Sequence, residues 1–221
     1  MAMLFVPITT MAAASIFPSA EQLIWSGKWA GAAPSVTVLC VGATYATVAG
    51  LLSGPLVGLR RFKESAGFEL VKMLGIIGGA GVGALLMRVA PDAFAGRGGD
   101  VTAVSVCVAA CMVATSVGQL LWVSRHYGFP RGETVRNLAF GPLLAGLTAI
   151  AAQSIGHSLF MSMGMVPGRS GALVELIAIS LTYGVLILLA VRFTAEPVLR
   201  DTVDTLPGPA KTIAERLLAM R

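Results

Sequence analysis

The chain has 221 residues, of which 56% are hydrophobic and only 12% charged, and its mean hydropathy is +0.81. So little polar surface excludes a water-soluble globule of this size and indicates a single integral membrane domain. A net charge of +5 does not indicate nucleic-acid binding, because the arginines flank apolar runs and lack the interleaved aromatics on which bases stack.

Long uncharged runs recur along the chain at Met1–Ala20, Ser35–Leu59, Met73–Met87, Val101–Ser124, Asn137–Phe160 and Leu176–Val191. Each approaches the ~20 residues a helix needs to cross a hydrocarbon core, and the short ones lengthen once flanking charges reach the interface. The expected fold is all-α, a polytopic bundle of about six transmembrane helices. The spans lie near 1–20, 35–59, 66–88, 101–124, 137–160 and 171–191, with a tail over 196–221.

The cations between spans alternate. Arg60, Arg61 and Lys63 follow span two, Arg125, Arg131 and Arg136 follow span four, and Arg192, Arg200, Lys211, Arg216 and Arg221 follow span six. The other gaps hold Lys28, Arg88, Arg97 and Arg169. Positive charge stays on the cytoplasmic side during insertion, so both termini are expected in the cytoplasm. The same cations make membrane lipid the first expected partner, through anionic headgroups.

Span one contains Pro7 and Pro18, so a kink near its start and an end around Pro18 are expected. Pro18-Ser19-Ala20 resembles a cleavage region, but the basic start of a signal peptide is missing, so the segment is expected to remain. Trp25 and Trp29 bracket Gly27 and Lys28, as indoles do at a headgroup boundary.

Span two places Gly42, Ala46, Gly50, Gly54 and Gly58 four residues apart, and span three repeats the device with Gly75, Gly79 and Gly83. Such ridges let helix backbones approach closely. Either the two ridges pack together, or each faces a cavity or a different helix. Gly54-Pro55 and Gly141-Pro142 weaken the backbone ladder near the cytoplasmic ends and are candidate hinges or plain packing sites. Cys40, Cys107 and Cys111 fall inside spans, with no histidine or third thiol at ligand spacing. They are expected to act as small apolar fillers, and no metal or cofactor is expected. In the tail, Pro207-Gly208-Pro209 precedes a short amphipathic helix with Ile213, Leu217 and Met220 on one side.

A charge at the bilayer centre costs about 2.5–3.5 kcal/mol on insertion scales, so ionisable groups within spans are the functional candidates. Glu69 and Lys72, three apart near the cytoplasmic start of span three, can pair with each other or line a path. Lys72 can equally snorkel to the headgroups. At the outer side, Gln153 and His157 late in span five and Glu175 early in span six reach similar depths, a candidate proton or cation site.

Val166-Pro167-Gly168-Arg169-Ser170-Gly171 resembles part of the signature of membrane phosphatases acting on undecaprenyl diphosphate, with Gly168 where that family has a serine and no counterpart of its paired glutamates. A second resemblance covers more of the chain. Leu23-Ile24-Trp25-Ser26-Gly27-Lys28-Trp29, Ala32-Ala33-Pro34, a long apolar span and Gly58-Leu59-Arg60-Arg61-Phe62-Lys63 resemble the C-terminal region of polysaccharide and O-antigen flippases. These belong to the multidrug/oligosaccharidyl-lipid/polysaccharide exporter superfamily. The similarity is clearest over Leu23–Met87 and weaker through Gly96–Gly128.

The resemblance implies a transporter, or its C-terminal part, that moves a polyprenyl-diphosphate-linked glycan across the bacterial inner (plasma) membrane in envelope polysaccharide biosynthesis. It places Arg60, Arg61 and Lys63 where a diphosphate first meets the protein, with Lys72 as a deeper contact. Full-length flippases have about twice as many spans, so a second chain or a homo-oligomer is implied. The alternatives are a scaffold subunit of a polysaccharide assembly that transports nothing, and a polyprenyl-diphosphate phosphatase-like enzyme. Enzymatic chemistry is not expected.

Overall fold

The computed structural model describes residues 2–51, 53–89, 99–127, 131–164 and 168–194. Among them every regular element is helical: α1 Ala2–Trp25, a 3-10 turn Ala30–Ala32, α2 Ala33–Leu51, α3 Ser53–Gly58, α4 Phe62–Val89, α5 Gly99–Tyr127, α6 Arg131–Ser162 and α7 Arg169–Thr194. Ala30–Gly58, Phe62–Val89, Val101–Tyr127, Ala139–Ser162 and Arg169–Phe193 are long and apolar enough to cross a membrane. The 24-residue α1 is a further long helix. The expected tail helix lies outside the described residues.

Inter-helix contacts fix the relative directions. Ile8 and Ser19 of α1 meet Tyr183 and Glu175 of α7, so these helices run antiparallel and the start of α1 lies beside the end of α7. Thr10 meets Thr44 across α1 and α2, again antiparallel. Ser35 meets Thr102, and Ala49 meets Gln119, so α2 and α5 run parallel. Gly75, Gly79 and Gly83 of α4 meet Thr115, Cys107 and Val104 of α5 in descending order, which makes that pair antiparallel. The turn before α4, the end of α5 and the ends of α2–α3 and α7 therefore share one side of the bundle.

The core has two parts. Met11, Ala145, Ala149, Ala152, Tyr183, Ile187 and Val191 bring α1, α6 and α7 together. Val48, Ala49 and Leu120 join α2 to α5, with Val6 of α1 and Tyr45 packed against them. On α6, Ala145, Ala149, Ala152 and Gly156 form a small-residue ridge that the sequence reading did not single out. A Cβ on Gly156 would lie 2.6 Å from Ile179 Cγ1 of α7. Its four- and three-residue steps keep small side chains on one helix face, where α1 and α7 can approach.

The glycine ridges of α2 and α4 do not form the pair considered from sequence. Helix α5 lies between them and receives both. A Cβ on Gly42 would sit 2.9 Å from Ala109 Cα, one on Gly79 2.8 Å from the Cys107 carbonyl oxygen, and one on Gly83 2.6 Å from Val104 Cα. Gly75 is looser, at 3.1 Å from Thr115 Cγ2. Gly50 and Gly58, by contrast, have open space, Ala46 is half-buried, and the packing of Gly54 lies outside the description. Equal spacing cannot reveal which neighbour a ridge meets. Cys107 and Cys111 lie on this α4–α5 seam and Cys40 is half-buried on α2; all three are free thiols.

Pro18 does not end α1, which continues to Trp25. The structure supplies donors from neighbouring helices close to both prolines: Tyr183 OH donates to the Ile8 carbonyl at 2.8 Å, and Gln153 Nε2 to the Ser15 carbonyl at 3.0 Å. These bonds tie α1 to α7 and α6; the carbonyls that Pro7 and Pro18 deprive of a helical donor are those of Met3 and Ala14, four residues before each proline. Pro142 likewise lies inside an uninterrupted α6.

Adding a methyl at Gly83 forces two backbones apart and is expected to cost about 1–3 kcal/mol. Gly83→Ala should therefore lower the unfolding temperature in detergent and expose Cys107 and Cys111 to a thiol dye sooner. Gly78→Ala and Gly81→Ala, where nothing lies within 4 Å, should leave it unchanged or raise it. Equal behaviour of the Gly83 and Gly81 variants would rule out the close approach.

Candidate functional site

The cationic end is built around the turn between α3 and α4. Arg60 N–H donates to the Val57 carbonyl and Arg61 N–H to the Leu56 carbonyl, both at 2.9 Å. This is the paired bonding of a Schellman helix end, which requires a left-handed residue and usually takes glycine. Here that residue is Arg60, at φ +60°. A non-glycine residue in this region costs about 1–2 kcal/mol, so the turn carries strain at a charged position.

Arg61 is committed to neighbours. Its Nη1 lies 2.8 Å from Glu64 Oε1, and its guanidinium sits 5.7 Å from the centre of the Tyr127 ring at the end of α5. Below it, Phe68 meets Trp122 edge-on and Trp122 stacks on His126 at 3.8 Å, tying the start of α4 to the last turns of α5. The side chains of Arg60 and Lys63 are exposed and make no hydrogen bond or ion pair among the described residues. Arg125 and Arg192, in the last turns of α5 and α7, and exposed Arg136 near the start of α6 add positive charge at the same end.

Glu69 and Lys72 do pair, with Nζ 2.8 Å from Oε1. Their surroundings differ sharply: the Lys72 side chain is 10% exposed and that of Glu69 is 51% exposed. Lys72 precedes Gly75 by three residues and shares the buried side of α4 with Ser65, Gly79 and Gly83, so it lies on the seam with α5. Its ammonium is thus neutralised within one helix.

At the opposite end the structure brings His157 and Glu175 together, with Nδ1 2.8 Å from Oε1. The other carboxylate oxygen accepts from Ser19 Oγ at 3.2 Å, so Glu175 links α7 to both α6 and α1. Gln153 does not join them; its amide is spent on the Ser15 carbonyl. Arg169, from the phosphatase-like string, donates through Nε to Ser26 Oγ at 3.0 Å and ties the start of α7 to the turn after α1. Val166 and Pro167 of that string lie outside the described residues.

Three polar positions escaped the sequence reading. Glu21 is 1% exposed, and its Oε1 accepts the Trp29 N–H at 2.6 Å, closing the tryptophan turn over Ser26 and Gly27, both at positive φ. Being the one acid before Glu64, it gave a signal in the sequence. Gln119, 2% exposed, donates through Nε2 to the Ala49 carbonyl at 3.2 Å, while its Oε1 and the Ser116 hydroxyl are buried without a partner among the described residues. Polar residues inside an otherwise apolar run were the available sign.

Because glycine occupies the left-handed region without strain, Arg60→Gly is expected to raise stability by about 1 kcal/mol. Chemical or thermal unfolding in detergent would measure this, and a loss of stability would show that the arginine side chain itself holds the turn. Comparison of the chain with protein-family models, with curated proteins and with solved structures finds no match, so its function has to be read from its own residues.

Proposed function

We propose that the chain is a multi-pass protein of the bacterial inner membrane that forms part of a flippase for lipid-linked polysaccharide or oligosaccharide in envelope polysaccharide biosynthesis. The observation that carries this reading is the strained, exposed Arg60 beside Lys63 at the cation-rich end. A diphosphate offers several anionic oxygens that a guanidinium and an ammonium bind through charge-assisted hydrogen bonds. The resemblance of the Trp-Gly turn, Ala32-Ala33-Pro34 and the Gly-Arg-Arg-Phe-Lys closure to exporter-superfamily flippases supplies the substrate class. With the cations facing the cytoplasm, both termini lie inside and the diphosphate is met from there.

Translocation would proceed by rigid-body rocking without covalent chemistry. Support for a second chain, or a second copy, comes from α4. It packs on α5 and touches α3, leaving Leu70, Leu74, Ile77 and Leu85 exposed along its length. One observation favours a scaffold that moves nothing: Lys72 is buried on the side of α4 that faces α5 and is paired with Glu69 of its own helix.

Export of sugar-lipid in cells dependent on this chain separates the two. Arg60→Gly combined with Lys63→Ala removes both free cations while relieving backbone strain, and should reduce export about tenfold or more, as loss of hydrogen bonds to a charged group does. Undiminished export at equal protein level favours the scaffold. Inorganic phosphate released from a polyprenyl diphosphate by the purified protein would instead establish an enzyme.

A further inference from the structure

The helix ends opposite the cationic turn are tied by side chains that no transport argument has used. Glu175 stands at the centre. One oxygen meets His157 of α6 at 2.8 Å and the other meets Ser19 of α1 at 3.2 Å, so one carboxylate of α7 fastens three helices. Arg169 adds a bond from the start of α7 to Ser26, and Gln153 one from α6 to the α1 backbone. The two principal members differ in exposure: Glu175 is largely enclosed, with 21% of its side chain exposed, while 63% of the His157 side chain reaches solvent.

We propose that the His157–Glu175 pair is a proton-binding site whose occupation fastens the ends of α6 and α7 to α1. Histidine is the side chain whose charge changes in the range of pH that cells maintain. Neutral His157 can give Glu175 one hydrogen bond; protonated His157 gives it a hydrogen bond and an opposite charge. The imidazole is open to receive the proton and the carboxylate is shielded enough to hold the ion pair.

Among the described side chains, the other charged groups at this end are turned elsewhere. Glu21 of α1 turns its carboxylate to the Trp29 N–H, Arg169 of α7 turns to Ser26, and Lys28 in the turn after α1 is exposed. Arg88 belongs to α4, which does not pack against α7. The sign follows. The clasp tightens as His157 gains a proton, so it strengthens as pH falls, until Glu175 itself is protonated and the charge pair is lost.

The inference does not rest on flippase activity, since it concerns the purified protein alone. Hydrogen exchange of the backbone in residues 155–162 and 169–176, corrected for the intrinsic pH dependence of exchange, measures how often these ends open. From pH 8 to pH 6, protection in the wild type should rise about two- to fivefold, the range a partly exposed ion pair supplies. His157→Gln keeps a hydrogen-bonding side chain at an exposed position, and Glu175→Gln keeps an acceptor for Ser19; both should abolish the rise. A wild type whose protection is the same at both pH values overturns the proposal. So does a rise that persists in either variant. Export measurements enter neither outcome, so failure here leaves the transport reading to its own test.

Discussion

Hydrocarbon offers no hydrogen bonds, and this single property of the solvent accounts for most of what the chain does structurally. Each backbone N–H and C=O inside the bilayer must find its partner within the protein, which is why every described element is a helix. Side chains from other helices add further bonds to backbone carbonyls. Tyr183 and Gln153 serve carbonyls close to Pro7 and Pro18 of α1, and Gln119 serves the carbonyl of Ala49 in the last turn of α2. Such bonds are worth about 0.6–2 kcal/mol each in membrane proteins, and they also fix the register of the helices they join.

The same solvent removes the usual reason for helices to associate, because lipid tails are as apolar as leucine. Close contact must come from backbone approach, and small residues are placed where it occurs. Helix α5 is the mast for α2 and α4, each reaching it through glycine, while α6 offers α1 and α7 a ridge of alanines and Gly156. Large apolar side chains such as Leu143, Leu147 and Leu181 point outward. Apolar side chains on the outside as well as in the core are compatible with a multi-pass membrane protein.

Much of this was legible in the sequence. Each uncharged run fell on a long helix, although the charged first turns of α4, α6 and α7 extend those helices beyond the runs; the alternation of cations separated the two ends, and the spacing of Gly75, Gly79 and Gly83 identified a packing face. What the sequence could not give was the partner of that face, because a ridge has the same spacing whichever helix it meets. Pro18 looked like a helix end because proline removes one helical hydrogen bond, yet α1 continues past it to Trp25. The Glu175–His157 pair was foreseen from depth alone, whereas Ser19 entered only through three-dimensional placement. Glu21 was not singled out, although its burial and its bond to the Trp29 N–H make it the anchor of the tryptophan turn.

The proposed diphosphate site requires the end bearing Arg60, Arg61 and Lys63 to face the cytoplasm and the end bearing Lys28 to face outward. The direct measurement is labelling of single cysteines by a membrane-impermeant thiol reagent on intact cells, after Cys40, Cys107 and Cys111 are replaced by alanine. Lys28→Cys should react from outside, and Lys63→Cys only once the membrane is opened. Reaction of Lys63→Cys in sealed cells, with Lys28→Cys protected, would invert the orientation and remove the cytoplasmic diphosphate site; reaction at both would show that the helices do not separate two compartments.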